Sequence, residues 1–94
     1  MGDYMYKMND ELRVIIEAKQ EAVRKDVIGQ YVKSRKELRM TQADVAEILG
    51  VKRPNITRFE NGSYNPTVDM LVKIAASMGK DLEIRLVDGK QEQA

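Results

Sequence analysis

The sequence predicts an all-α protein, a bundle of four to five helices with an added helix in front and one strand behind. Three observations carry this. Apolar residues recur at helical spacing between residues 10 and 78. Capping residues open these stretches, and glycines or loops close them. Only residues 81–87 alternate with period two.

Residues 1–9 read as a terminal arm, with Tyr4, Met5, Tyr6 and Met8 in no clear period. Asn9 or Asp10 caps a helix over about 10–25, with Leu12, Ile15, Ile16, Ala22 and Val23 on one face. Asp26 is placed to cap a second helix, to about Arg39, lined by Ile28, Tyr31, Val32 and Leu38. One long bent helix through Asp26 is the alternative. Thr41 caps a helix over Gln42–Leu49, with Asp44 three residues on as a loose capping box. Gly50 supplies the positive φ that ends it. Pro54 fits only a first turn, so a new helix starts near Arg53 and runs to about Glu60, where Asn61-Gly62 stops it. Thr67 caps the last helix, about Val68–Met78, with Met70, Leu71, Ile74, Ala75 and Met78 inward and Gly79 after it. Residues 10–80 thus make one helical domain, followed by a strand over 81–87 and a tail over 88–94.

Composition excludes much. The 94 residues include no Cys and no His. Disulfides, thiolate nucleophiles, His-based acid–base chemistry and zinc sites have no residues to use. The expectation is no enzyme, no metal and no cofactor. No apolar run approaches the length of a membrane span, and residues 1–7 hold no apolar signal segment, so the expected compartment is the cytoplasm. Net charge is +1, but it is unevenly spread. Residues 27–66 carry seven basic and four acidic side chains, while the flanking segments are each net −1. An anion is therefore expected to meet the middle of the chain. A solvated helix face is the bland reading of the same charges. Asp44 and Glu47 share a helix face, but two carboxylates without His read as solvated surface rather than a metal site.

Residues 42–61 act as a unit. Two short helices are joined by a tight turn at Gly50, with Val45, Leu49, Val51, Ile56 and Phe59 apolar and small Ala46 between them. Ala46 lets the helices cross closely. Ile56 and Phe59 anchor the second helix, leaving Arg53, Asn55, Thr57 and Arg58 to project. This spacing is a helix-turn-helix motif, whose second helix fits the DNA major groove. Arg is the usual bidentate reader of guanine. Asn55 has two roles open, reading adenine or sitting sideways as a cap. Lys52 cannot cap and points to a phosphate. Pro54 lacks a donor and offers at most an apolar contact to a thymine methyl.

Residues 28–79 resemble the phage-repressor-type (Cro-like, xenobiotic-response-element) helix-turn-helix family, whose fold is lambda-repressor-like. The matching stretches are Val32 to Arg39, Thr41 to Ala46, Leu49-Gly50-Val51, Ile56 to Gly62 and Asn65-Pro66. The resemblance implies a helical bundle that binds pseudo-palindromic operator DNA as a homodimer, most simply as a repressor. It implies that Gln42, with Thr41 beside it, touches the phosphate backbone and sometimes a base. It implies a structural salt bridge between Arg35 and Glu60, a backbone contact at Asn61, and base-facing positions at Arg53, Pro54, Thr57 and Arg58. Lys52 and Pro54 depart from the family's usual residues, which bears on the target sequence.

The flanks resemble those of HigA-type antitoxins, in which regulator and toxin neutraliser are one chain. The competing reading is therefore an antitoxin whose residues 1–26 and bundle surface bind a protein toxin. In either case the lone strand needs a partner edge. Antiparallel pairing with a second copy about Ile84 sets Glu83 against Arg85 and Leu82 against Leu86.

Overall fold

The computed structural model describes residues 9–89. The arm over residues 1–8, with Tyr4, Met5, Tyr6 and Met8, lies outside the described residues, as does the tail from residue 90. Four helices are present among the described residues: α1 (Asp10–Glu37), α2 (Gln42–Leu49), α3 (Arg53–Glu60) and α4 (Val68–Ser77).

α1 corrects the expectation of two helices. It runs unbroken for 28 residues, about 42 Å at 1.5 Å per residue. Asn9 Oδ1 accepts from the Leu12 N–H at 2.7 Å, and Asp10 and Glu11 in the first turn complement the helix dipole. Asp26 does not cap anything. Its carboxylate accepts from Gln30 Nε2 one turn on, at 2.9 Å, which keeps a capping residue inside the helix.

All four helices stop in the same way. The residue after the last turn takes a left-handed conformation, at Arg39, Gly50, Gly62 and Gly79. The next residue's N–H closes a 6→1 bond to the last turn: Met40 to Arg35, Val51 to Ala46, Ser63 to Arg58 and Lys80 to Ala75. Three of these stops use the glycines the sequence offers. α1 instead ends two residues early, at Glu37, with Arg39 at φ 59°. A side chain there costs about 1 kcal/mol. The turn is held by Arg35 Nη1, which donates to the Met40 carbonyl at 2.8 Å. This stop also turns Leu38 outward, 47% exposed, rather than into the core.

The core lies where α1, α2, α3 and α4 meet. Tyr31, Val45, Ala46, Ile56, Phe59, Ile74, Ala75 and Met78 are buried, with Val27, Ile28, Leu49, Val51 and Leu71 packed round them. The Tyr31 hydroxyl donates to the Leu71 carbonyl at 2.8 Å, joining α1 to α4. Ala46 is 3% exposed on α2, where α3 crosses. Ala46→Leu is expected to cost about 1–3 kcal/mol by overpacking, lowering Tm by roughly 5–20 °C. Unchanged melting would mean that the crossing has room to spare.

The strand expected over residues 81–87 is absent among the described residues, which follow α4 without regular secondary structure. A strand needs a second edge to bond to, and the rest of the described chain is helices and turns. Leu82 packs on the core, while Ile84, Leu86 and Val87 face solvent. Glu83 and Arg85 touch at 3.2 Å on one side of the backbone.

Candidate nucleic-acid interface

Thr41, Gln42 and α3 build the candidate interface. The Thr41 hydroxyl accepts from the Asp44 N–H at 3.0 Å, and Asp44 Oδ2 accepts from the Thr41 N–H at 2.8 Å. The capping box is complete, so the start of α2 is rigid and the Asp44 carboxylate is occupied. Glycine at residue 50 then lets the chain reverse into α3.

Lys52 sits at the N-cap of α3 with no side-chain cap bond, and Pro54 lies in the first turn, where its missing N–H costs nothing. Ile56 and Phe59 are 1% exposed and fix the inner face of α3. The outer positions Lys52, Arg53, Pro54, Arg58 and Asn61 are exposed, while Asn55 and Thr57 are half-buried.

Several of these side chains engage one another. Asn55 Oδ1 accepts from Arg58 Nη2 one turn on, so Asn55 supports the arginine rather than capping. Asn61 Oδ1 accepts from the Ser63 N–H at 3.0 Å and from the Ser63 hydroxyl, tying the end of α3 to the loop. Thr57 turns sideways, and its hydroxyl donates to Gln42 Oε1 at 2.7 Å.

A polar chain ties the motif to α1. Arg35 Nε and Nη2 donate to the two oxygens of Glu60 at 2.6 and 2.9 Å. Gln42 Nε2 donates to Glu60 Oε1 at 2.9 Å. Both charged side chains are 11% exposed. Burial pushes the Glu60 carboxyl up, but bonds from Arg35 and Gln42 and the nearby positive charges outweigh it and hold the group below its ordinary value. The Glu60 hydrogen bond holds Arg35 above its ordinary value, so both stay ionised at neutral pH.

The electrostatic consequence is local. The one acidic residue of α3 is neutralised from behind by Arg35, and the exposed charges at its start and on its outer face are Lys52, Arg53 and Arg58. The link from Thr57 through Gln42 to Glu60 is the feature sequence reasoning did not find. Gln42 and Thr57 stand 15 residues apart, and only the helix crossing brings them together. The Asn55–Arg58 pair did carry a readable signal, its spacing of three in a helix.

Among the described residues no group of His, Cys, Asp or Glu is placed to hold a metal, and no helix is long and apolar enough to cross a membrane.

Comparison with known proteins agrees with this architecture. A helix-turn-helix family model matches residues 33–84, more than half of the chain. The chain is 35% identical over 68 residues to an uncharacterised helix-turn-helix-type transcriptional regulator of Haemophilus influenzae, covering 72% of this chain and 69% of that one. It is 34% identical over 58 residues to the ImmF control region 10 kDa protein of Bacillus phage phi105, covering 61% and 64%. A solved structure from a toxin–antitoxin module of Streptococcus pneumoniae shares the fold with a TM-score of 0.60 at 24% identity, over 93% of this chain and 91% of that one. The motif that resembled phage repressors thus lies inside a matched family model, and this chain belongs to the helix-turn-helix family.

Proposed function

We propose that the protein is a sequence-specific double-stranded DNA-binding transcriptional regulator of the cytoplasm, acting as a homodimeric repressor. The observation that carries this is α3. It is a rigidly seated helix with Arg53 and Arg58 exposed and its single carboxylate already paired to Arg35. Such a helix enters the major groove with its N-terminal residues toward base edges. Family membership and the regulators among the relatives support the reading. In this arrangement Arg53 and Arg58 read bases, Pro54 offers an apolar contact, and Lys52, Thr41, Gln42 and Asn61 lie against the phosphates.

Selection of duplexes from a random library at about 0.15 M salt tests it. An enriched inverted repeat, with half-sites about one helical turn apart, is the expected result. No enrichment overturns it. With that site in hand, Arg58→Ala and Arg53→Ala are each expected to cost about 1–3 kcal/mol on the selected duplex and to relax preference at one base pair. An equal loss on every sequence would make that arginine a phosphate contact.

The homodimer rests on residues 82–86. Paired with a second copy, Leu82, Glu83, Ile84, Arg85 and Leu86 would make a strand edge, with opposite charges facing across it. Three of the apolar side chains after Leu82, namely Ile84, Leu86 and Val87, are exposed in the single chain. Removing residues 81–94 is expected to give a monomer in sedimentation. A truncated chain that stays dimeric would place the interface elsewhere.

A second reading, an antitoxin that also regulates its own operon, is favoured by one observation. The first half of α1 leaves the body of the protein with Leu12, Ile15 and Val23 about half exposed or more. Ile16, Val23 and Val27 form one wall of a groove of about 550 Å3, and Pro66 and Leu71 line it from the body. An apolar helix face left open among the described residues suits a protein toxin. Copurification with the product of an adjoining reading frame, lost in Val23→Asp, would favour this reading.

A further inference from the structure

We infer that Thr57 is a positioning residue, whose hydroxyl acts with the Glu60 carboxylate to fix the Gln42 carboxamide so that it offers DNA one N–H donor, suited to a phosphate oxygen. The inference rests on the DNA-binding reading and assigns two of its residues to different tasks.

The direction of the hydrogen-bond chain is forced. An ionised carboxylate only accepts. Glu60 takes two bonds from Arg35, and its Oε1 faces Gln42 at 2.9 Å. Gln42 must therefore turn Nε2, not Oε1, toward it. The opposite end of the carboxamide is then Oε1, which only accepts. It lies 2.7 Å from Thr57 Oγ1, so the threonine hydroxyl must donate. That hydroxyl has one hydrogen. Its other acceptor within reach, the Arg53 carbonyl, is farther away at 3.3 Å.

This leaves Gln42 with one free N–H. A glutamine that reads adenine uses Oε1 and Nε2 together, in plane. Here one hydrogen of Nε2 and one lone pair of Oε1 are held by internal partners on opposite sides, so the carboxamide is not free to turn its plane to a base edge, and the one donor it keeps is the second Nε2–H. Phosphate oxygens take such a donor at any sequence. Thr57 has likewise spent its only hydrogen and brings no donor to a base. Specificity then falls to Arg53 and Arg58, and Thr57 acts through Gln42.

Two variants separate this from direct reading. Thr57→Val keeps the shape and removes the hydroxyl. Thr57→Ser keeps the hydroxyl and removes the methyl. The full chain is titrated with the selected duplex and with an unrelated duplex of equal length, over a range of salt. Thr57→Val is expected to weaken both by the same factor, about fivefold for one lost hydrogen bond. The salt slope stays unchanged, because a neutral donor releases no counterion. Thr57→Ser is expected to bind like the wild type. A loss confined to the selected duplex, an equal loss in Thr57→Ser, or no loss in Thr57→Val overturns the inference.

A second readout needs no DNA. In 15N NMR one side-chain amide proton of Gln42 is expected to be protected from solvent in the wild type and in Thr57→Ser, and to lose protection in Thr57→Val. Fast exchange of both protons in the wild type overturns the clamp itself. A wild-type chain that binds no duplex overturns the DNA-binding reading, and the phosphate role with it, while the NMR result still decides whether the clamp exists.

Discussion

Phe59→Ala is expected to remove roughly half of the protein's stability. The ring is 1% exposed and is one of only eight buried residues in the described core. It meets the Tyr31 ring edge-on, with centroids 5.4 Å apart and planes at 76°. Removing a buried phenyl group costs about 3–5 kcal/mol through lost transfer energy and the cavity left behind. The edge-to-face contact adds about 1 kcal/mol. A domain of this size has a stability on the order of 5–10 kcal/mol, so roughly half is removed. The midpoint of thermal unfolding followed by circular dichroism is expected to fall by roughly 15–45 °C. Val68→Ala, at a position 57% exposed, is the matched control and is expected to change little. A fall of only a few degrees in Phe59→Ala would mean that α3 is held mainly by its polar links.

The location of Phe59 follows from the same pattern that makes the motif legible. Val45, Ala46, Ile56 and Phe59 fall at spacings that only a close helix crossing satisfies, and all four are buried. The local stops are just as direct. Thr41 with Asp44, Gly50, Pro54, Thr67 and Gly79 each act within a few residues of where they stand, so the sequence shows them. What it hides has one of two causes. The first is residues with two local uses. Asp26 can cap a helix or bond to Gln30 inside one, and nothing near it decides. Arg39 takes a left-handed conformation that its side chain disfavours, because Arg35, bound to both Met40 and Glu60, holds the turn. The second cause is distance along the chain. The Thr57–Gln42 contact and the exposure of the front half of α1 depend on how helices meet, which no window of sequence contains. The period-two pattern at 82–86 belongs to both classes, because its fulfilment depends on an edge the single chain does not supply.

Arg35→Ala is expected to cost about 3 kcal/mol and roughly 12–24 °C in Tm, because it leaves a nearly buried carboxylate without its cation. The size follows from the desolvation of Glu60, whose side chain is 11% exposed, rather than from the attraction between the charges. The pH dependence shows whether the ionised form of Glu60 is what the pair stabilises. Glu60 has a folded-state pKa below its ordinary value of 4.5, so the unfolded chain binds the proton more readily. Its contribution is therefore fully present above about pH 4.5 and is lost as pH falls through the folded-state value. Arg35 is held above its ordinary value and does not titrate in this range. Glu60→Gln keeps the shape and most of the bonds but cannot ionise. Denaturant unfolding is expected to show the wild type ahead of Glu60→Gln at pH 7, with the gap closing as pH falls below 4.5. No gap at pH 7 would mean that the side chain stabilises the motif by filling space. In that case Gln42 would hold its place without the charge behind it.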